Sequence, residues 1–234
     1  MKILYIFPHP DDESFGPAPA ISAQLRQGNE VYLLTLTKGE ATRERFKLNV
    51  SKNEMGEIRY REMLCVEKVL GLTGMTVLDL PDNELKKMDP IDIEEIIMEH
   101  IEIIKPDILI TYAVHGISGF HDHLVTHAVV KRVYCQMKKN KQKYPRRLAF
   151  FTRKGEVNMK GKFRLEASTE DEIGFIETCN DKDMERFRRA LDCYETYREV
   201  IEASNVKEIV TNEVPFEIFG EDLKSRLVSV TEDL

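Results

Sequence analysis

No stretch of this chain is apolar over anything near the ~20 residues that a bilayer-spanning helix needs. The first ten residues, MKILYIFPHP, carry one lysine and an apolar run of five. That is shorter than the ~7–15 residues of a secretory h-region, so the expected location is cytoplasmic, with no membrane partner. Cysteine is sparse and scattered: Cys65, Cys135, Cys179 and Cys193 form no CxxC pair. This spacing suits neither a thiolate zinc site nor a small disulfide framework, and free thiols in a reducing compartment are the expectation. Positive charge is also short. A net charge of -7 argues against nucleic acid as a main partner. The one basic run, residues 138–147 (KKNKQKYPRR), reads as a solvated helix end and loop, with an anion-binding patch as the alternative. No GxGxxG follows the first apolar run, which removes the usual dinucleotide loop.

What remains is an ordinary globular composition, 42% hydrophobic and 32% charged. A chain of 234 residues buries roughly 70–75% of its unfolded surface and needs no staple to fold. Residues 3–7 (ILYIF) and 30–37 (EVYLLTLT) are continuous apolar runs of the kind found in parallel strands covered on both faces. Further strands are expected at 75–80 and 108–114. Helices are expected at 18–27, 57–70, 91–104 and from 124 to 134, with a charged loop over 38–56. Strand alternating with helix implies right-handed crossovers and a Rossmann-like, mostly parallel α/β sheet with helices on both faces. Beyond residue 148 the pattern changes: strands at 148–152 and 174–178 flank a polar segment, and a long helix covers 183–203. One domain spanning 1–234 is the expectation.

Two clusters carry chemistry. Pro8-His9-Pro10-Asp11-Asp12-Glu13 directly follows the first strand, where open α/β sheets bind ligands. Helix capping would need one acid, not an imidazole with three carboxylates, and this mixture suits a divalent cation. The second cluster follows the fourth strand. Four of the six histidines (115, 121, 123 and 127) fall between His115 and His127. His123 lies at the loop-to-helix junction, while His115 and His127 read equally well as structural. Two strand-end clusters of one parallel sheet can converge and supply the three protein ligands of a catalytic zinc.

On these residues the chain resembles the LmbE-like, or PIG-L, family of zinc-dependent de-N-acetylases. His9-Pro10-Asp11-Asp12-Glu13 matches the family's (A/P)HPDDE signature in full; His121-Asp122-His123, preceded by GISG, matches its GHPDH motif in part. Leu36-Thr37-Lys38-Gly39-Glu40, Arg59-x-x-Glu62, Pro81-Asp82 and the segment 216–220 add support. The resemblance implies metal ligands His9, Asp12 and His123, with zinc or iron(II) as the cofactor. It also implies Asp11 as general base and Asp122 as the partner behind a ligand. Arg59, Asp82 and Glu40 would face a small N-acetylated sugar, and relatives often assemble as trimers or hexamers. Two positions depart from the pattern. Phe120 stands where the family has the first histidine of its second motif, so that either His121 takes that role, or the step is carried differently, or activity is reduced; Tyr194 stands where many relatives carry a helical histidine. Two other readings stay open: another metal hydrolase such as a phosphoesterase, and a sugar- or nucleotide-binding module with a structural metal.

Overall fold

The computed structural model describes residues 1–155, 157–158 and 164–234. In chain order the elements are β1 (Lys2–Phe7), α1 (Ala18–Arg26), β2 (Glu30–Thr37), α2 (Glu44–Lys47), α3 (Lys52–Leu70), β3 (Gly74–Leu80), α4 (Pro90–Ile104), β4 (Ile108–Tyr112) and α5 (His121–Lys139). There follow β5 (Arg147–Phe151), β6 (Val157–Asn158), β7 (Arg164–Leu165), β8 (Ile173–Thr178), α6 (Asp181–Asp192), α7 (Arg198–Ser204), α8 (Val206–Ile209) and β9 (Glu213–Ile218). Seven strands form one sheet in the order β3-β2-β1-β4-β5-β9-β8. The first five are mutually parallel, and β9 runs antiparallel to both β5 and β8. The expected mostly parallel α/β sheet is therefore present.

Side-chain alternation along β1 divides the core. Ile3, Tyr5 and Phe7 join one apolar cluster with residues of α1, α3 and α6, whereas Leu4 and Ile6 join another with residues of α4 and α5. Covering both faces is what makes β1 and β2 read as unbroken apolar runs.

Strand order sets the position of the site. The chain moves outward from β1 through β2 to β3, then returns to place β4 on the other side of β1. The loops leaving β1 and β4 thus turn away in opposite directions and open a crevice at the carboxyl ends of these two strands.

Several boundaries differ from the sequence expectation, each for a local reason. Helix α3 starts at Lys52, five residues before the expected 57, because Ser51 and Glu54 form a reciprocal capping box. Helix α5 starts at His121 rather than 124, which puts His121, Asp122 and His123 in its first turn. The long helix expected over 183–203 is broken: α6 ends at Asp192, a 3-10 turn covers Glu195–Tyr197, and α7 follows. Strand β9 was not expected; Pro215 lies within it. Part of the polar segment between the expected strands, residues 159–163, lies outside the described residues. The basic run splits in two: Lys138 and Lys139 close α5, and Arg147 is buried in β5 against Glu221.

The expectation of four free thiols is corrected. Cys65 of α3 and Cys193 after α6 form a disulfide, leaving Cys135 and Cys179 free. Spacing 128 residues apart gave no sign of it, because the pairing exists only once α3 and α6 lie side by side on the same face.

Candidate metal centre

The turn leaving β1 and the first turn of α5 meet. The Nδ1 of His9 lies 3.4 Å from one carboxylate oxygen of Asp12, and the Nε2 of His123 lies 3.3 Å from the other. Tetrahedral sites with bonds near ~2.0–2.1 Å have donor–donor edges of about 3.3 Å. Each contact is close to such an edge, the two imidazoles facing different oxygens of Asp12, and His9, Asp12 and His123 together form a donor set that could hold a metal.

Each donor is fixed from behind. The Nδ1 of His123 faces the Gly116 carbonyl at 2.9 Å, so a proton there leaves Nε2 as a bare lone pair toward Asp12. Its ring stacks on Tyr112, at 4.3 Å between centroids and 6° between planes. The Nε2 of His9 faces Asp122 at 3.2 Å and Asp82 at 3.3 Å, which by the same logic frees Nδ1. Asp12 accepts hydrogen bonds from the Tyr112 hydroxyl and the His9 amide. Gly116 has φ +59°, and a Cβ there would lie 2.8 Å from that of His123. Only glycine allows this turn to bring its carbonyl against the ring.

The electrostatics fit a cation. Burial disfavours a charged His9, yet hydrogen bonds to Asp12 and Asp122 and the charges of Asp12 and Asp82 prevail and push it up to about 10. Without a metal, then, a proton on His9 supplies the positive charge that these carboxylates demand, and a divalent ion would displace it. Burial also opposes the charge on Asp12, but His123 and His9 hold its carboxyl well below the usual range.

Asp11 points elsewhere. Its φ is +88°, so the backbone turns sharply between two neighbouring acids. Its carboxylate pairs with Arg59 at 2.6 Å, and its amide donates to the Tyr194 hydroxyl at 2.8 Å. Burial outweighs the pull of Arg59 and raises Asp11 to about 6. Arg59 itself is only 1% exposed, donates to the Pro10 carbonyl and lies 4.0 Å from the centroid of Tyr197. Instead of offering a free fork to a sugar, its guanidinium holds the turn. Gly39, with φ +64°, gives it room: a Cβ there would come within 3.0 Å of Arg59 and of Pro10.

Asp82 is likewise buried, accepts from the Ala41 amide and faces His9, while Glu40 accepts from the Asp82 amide. Asp122 accepts from the Asn83 amide, and its other oxygen, Oδ1, is buried without a hydrogen-bond partner among the described residues. His121 is exposed and shares no hydrogen bond or ion pair with the cluster, and Phe120 rests edge-on against His123. His127 is bound to the Tyr112 carbonyl and packed on Phe150; His115 lies beside Thr152 and Ser168. Sequence reasoning missed Tyr112 as part of the site. Its position at the end of β4, opposite the acidic turn, was the available signal.

A mostly parallel sheet with two histidines and a carboxylate gathered at its switch point defines an α/β protein whose site has a donor set that could hold a metal ion. More specifically, the chain belongs to the PIG-L family: residues 4–134 match the family described as GlcNAc-PI de-N-acetylase. One relative, a probable N-acetyl-alpha-D-glucosaminyl L-malate deacetylase 2 of Bacillus subtilis, is 30% identical over 146 residues, covering 62% of this chain and 64% of its own. The chain spans about half to two thirds of the length of the curated relatives it matches. Among solved structures, a teicoplanin deacetylase in its zinc-inhibited form superposes with a TM-score of 0.67 at 12% identity, over 93% of this chain and 97% of the other. A 4-carboxy-2-hydroxymuconate hydratase of Pseudomonas putida superposes equally well, with a TM-score of 0.67 at 13% identity over 97% of this chain and 99% of the other. At such identities the superpositions show the fold alone.

Proposed function

We propose that this protein is a metal-dependent N-deacetylase that hydrolyses the acetamide of a small N-acetylglucosamine-type glycoside. One observation carries the reading: His9 and His123 each turn a nitrogen toward Asp12 at 3.4 and 3.3 Å, and each has its other nitrogen backed by an acceptor. Family membership supports the reaction class, and the names of the relatives support the sugar. Zinc or iron(II) suits two imidazoles and a carboxylate.

The metal would be held by His9, Asp12 and His123. When bound, such an ion polarises a carbonyl and lowers the pKa of water toward ~7. The chain supplies the rest. Asp11, beside the proposed ligands and paired with Arg59, would accept a proton from the attacking water and pass it to the leaving amine. Arg59 keeps that carboxylate in one rotamer through its 2.6 Å contact. Asp122 and Asp82 hold the His9 ring, which fixes which nitrogen is free. Glu40 and Asp82 join the loops after β2 and β3 at the rim, where a sugar would lie. His121 is not drawn into the cluster, so a role as oxyanion donor would require it to move.

The test is acetate release from a panel of N-acetylated glycosides, with zinc-loaded and metal-free protein. Release that depends on the metal is the expected result. Protein that binds one equivalent of zinc and releases acetate from no member of the panel would refute the reading.

Phe120, in place of an imidazole, favours a second reading, a sugar-binding module whose metal is structural. The phosphoesterase reading needs a second ion, and a second donor set exists: His9, Asp82 and Asp122. It shares His9 with the first, however, and one ring can serve both ions only by losing both protons. A titration that saturates at one equivalent of zinc is expected; saturation at two would revive the phosphoesterase.

A further inference from the structure

We infer that Tyr194 is a positioning residue for Asp11. The inference rests on the assignment of Asp11 as the base and adds the group that fixes its backbone.

Asp11 occupies the left-handed region at φ +88°, which side chains other than glycine rarely adopt. Such a conformation persists only where the surroundings over-determine it. Two contacts do so here from opposite ends of the residue. Arg59 grips the carboxylate, and the Tyr194 hydroxyl accepts the hydrogen bond of the amide at 2.8 Å. The hydroxyl proton faces two acceptors, Glu13, 2.7 Å away and fully buried, and the Met63 sulfur at 2.8 Å. Tyr194 thus bridges Asp11 and Glu13 across the turn, and with 1% exposure its ring has no freedom to leave.

The chain reaches this point by breaking a helix. Cys193 keeps helical angles, and the backbone departs from them at Tyr194, with φ -87° and ψ 71°, before the 3-10 turn of Glu195–Tyr197. The break is held on both sides. Cys193 is joined covalently to Cys65 of α3, and Thr196 donates its amide and hydroxyl to Glu62 of the same helix. Helix α3 also carries Arg59. A single element, α3, therefore anchors both grips on Asp11, and no hydrogen bond, ion pair or ring contact joins Tyr194 to His9, Asp12 or His123 among the described residues.

The experiment compares wild type, Tyr194→Phe and Tyr134→Phe. The last removes a hydroxyl from α5 that bonds to Arg146, far from the turn. In metal-free protein, exchange of the Asp11 amide with solvent, followed by NMR, should quicken about tenfold or more in Tyr194→Phe and stay unchanged in Tyr134→Phe. In zinc-loaded protein, Tyr194→Phe should lose about tenfold or more in kcat with KM and zinc affinity within twofold of wild type. A merely structural role would move KM, metal affinity and thermal stability together. Wild-type rates in both measurements would overturn the inference. If the wild type releases no acetate, the proposed function falls, and the amide measurement alone decides whether Tyr194 holds Asp11.

Discussion

Reduction of the Cys65–Cys193 bond offers a test of how the site is braced. In the chain-entropy view a crosslink stabilises by restricting the unfolded state, as about 2.1 + 1.5R ln n cal/mol/K for a closed loop of n residues. The two cysteines are 128 residues apart, which gives about 5 kcal/mol at 25 °C. Measured values are more often ~2–4 kcal/mol, because unfolded chains retain structure. Each kcal/mol moves Tm by roughly 2–4 °C in a domain of this size, so reduction should lower Tm by about 5–15 °C. The assay is thermal unfolding followed by circular dichroism, with and without dithiothreitol, alongside Cys65→Ser. Cys65 is exposed and Cys193 buried, so attack should begin at the Cys65 side. Thiol titration in denaturant provides the count: two groups before reduction, Cys135 and Cys179, and four after. Four thiols in protein prepared without reductant, or a Tm shift below about 1 °C, would refute the reasoning.

The remaining predictions concern the cluster and its supports. If His123 is a ligand as proposed, His123→Ala should weaken zinc binding by at least about 100-fold in isothermal titration, since it would remove a donor rather than its backing. Asp122→Asn keeps the shape but weakens the hold on His9, and affinity should fall by about 10–100-fold; unchanged binding would show that Asp82 alone orients the ring. Asp11→Asn should retain one equivalent of zinc while kcat falls by about 10²–10⁴, and undiminished turnover would remove Asp11 from the chemistry. Away from the site, Asp183 ties α6 to α1 through Arg26 and Ser22. Burial works against its charge, but Arg26, the Asn180 amide and Ser22 prevail and depress its pKa. A depressed folded-state pKa means stability that is full above the ordinary carboxylate value and lost as pH falls through the depressed one. Urea midpoints should therefore drop more steeply from pH 5 to pH 2.5 in wild type than in Asp183→Asn, and parallel curves would contradict the assignment.

The first half of the fold was legible because its signal is local. Parallel strands covered on both faces leave unbroken apolar runs, and β1, β2 and β4 were found on that basis. The convergence of His9, Asp12 and His123 was legible because its two parts follow strands directly and consist of residue types rare in such density. The less legible parts depend on distance. Strand β9 is held by β5 and β8 on either side, and its own sequence, with Pro215 inside, argues against a strand. The break after Asp192 follows no proline or glycine; it is imposed by Cys65, Glu62 and Asp11, each far away in sequence. Arg59 was recognised as a site residue, but a motif cannot say which way a guanidinium points. In the fold it faces Asp11 and not open solvent.

Charge balance explains how two adjacent aspartates can do different work. Five acids, Asp11, Asp12, Glu13, Asp82 and Asp122, crowd the crevice, four of them almost wholly buried. Buried carboxylates must be paired or protonated. Asp11 has its own permanent counter-charge in Arg59, and Glu13, raised by burial to about 7, has hydroxyl donors in Ser14 and Tyr194. Among the described residues, Asp12, Asp82 and Asp122 have the two imidazoles and their hydrogen-bond donors as partners, so the demand for a cation falls on that side of the turn. The sharp backbone at Asp11 divides the sides. A divalent ion entering next to Asp12 would relieve the acids around His9 without competing for Arg59. Asp11 would then stay free of the ion while remaining within its field, which lowers the proton affinity that burial has raised. Replacing Arg59 with an uncharged residue should collapse this division, drawing Asp11 onto the metal. The expected signature is Arg59→Met protein that binds zinc at least as tightly as wild type yet turns over poorly; weaker binding would show that Arg59 and the ion are not partitioned as the geometry indicates.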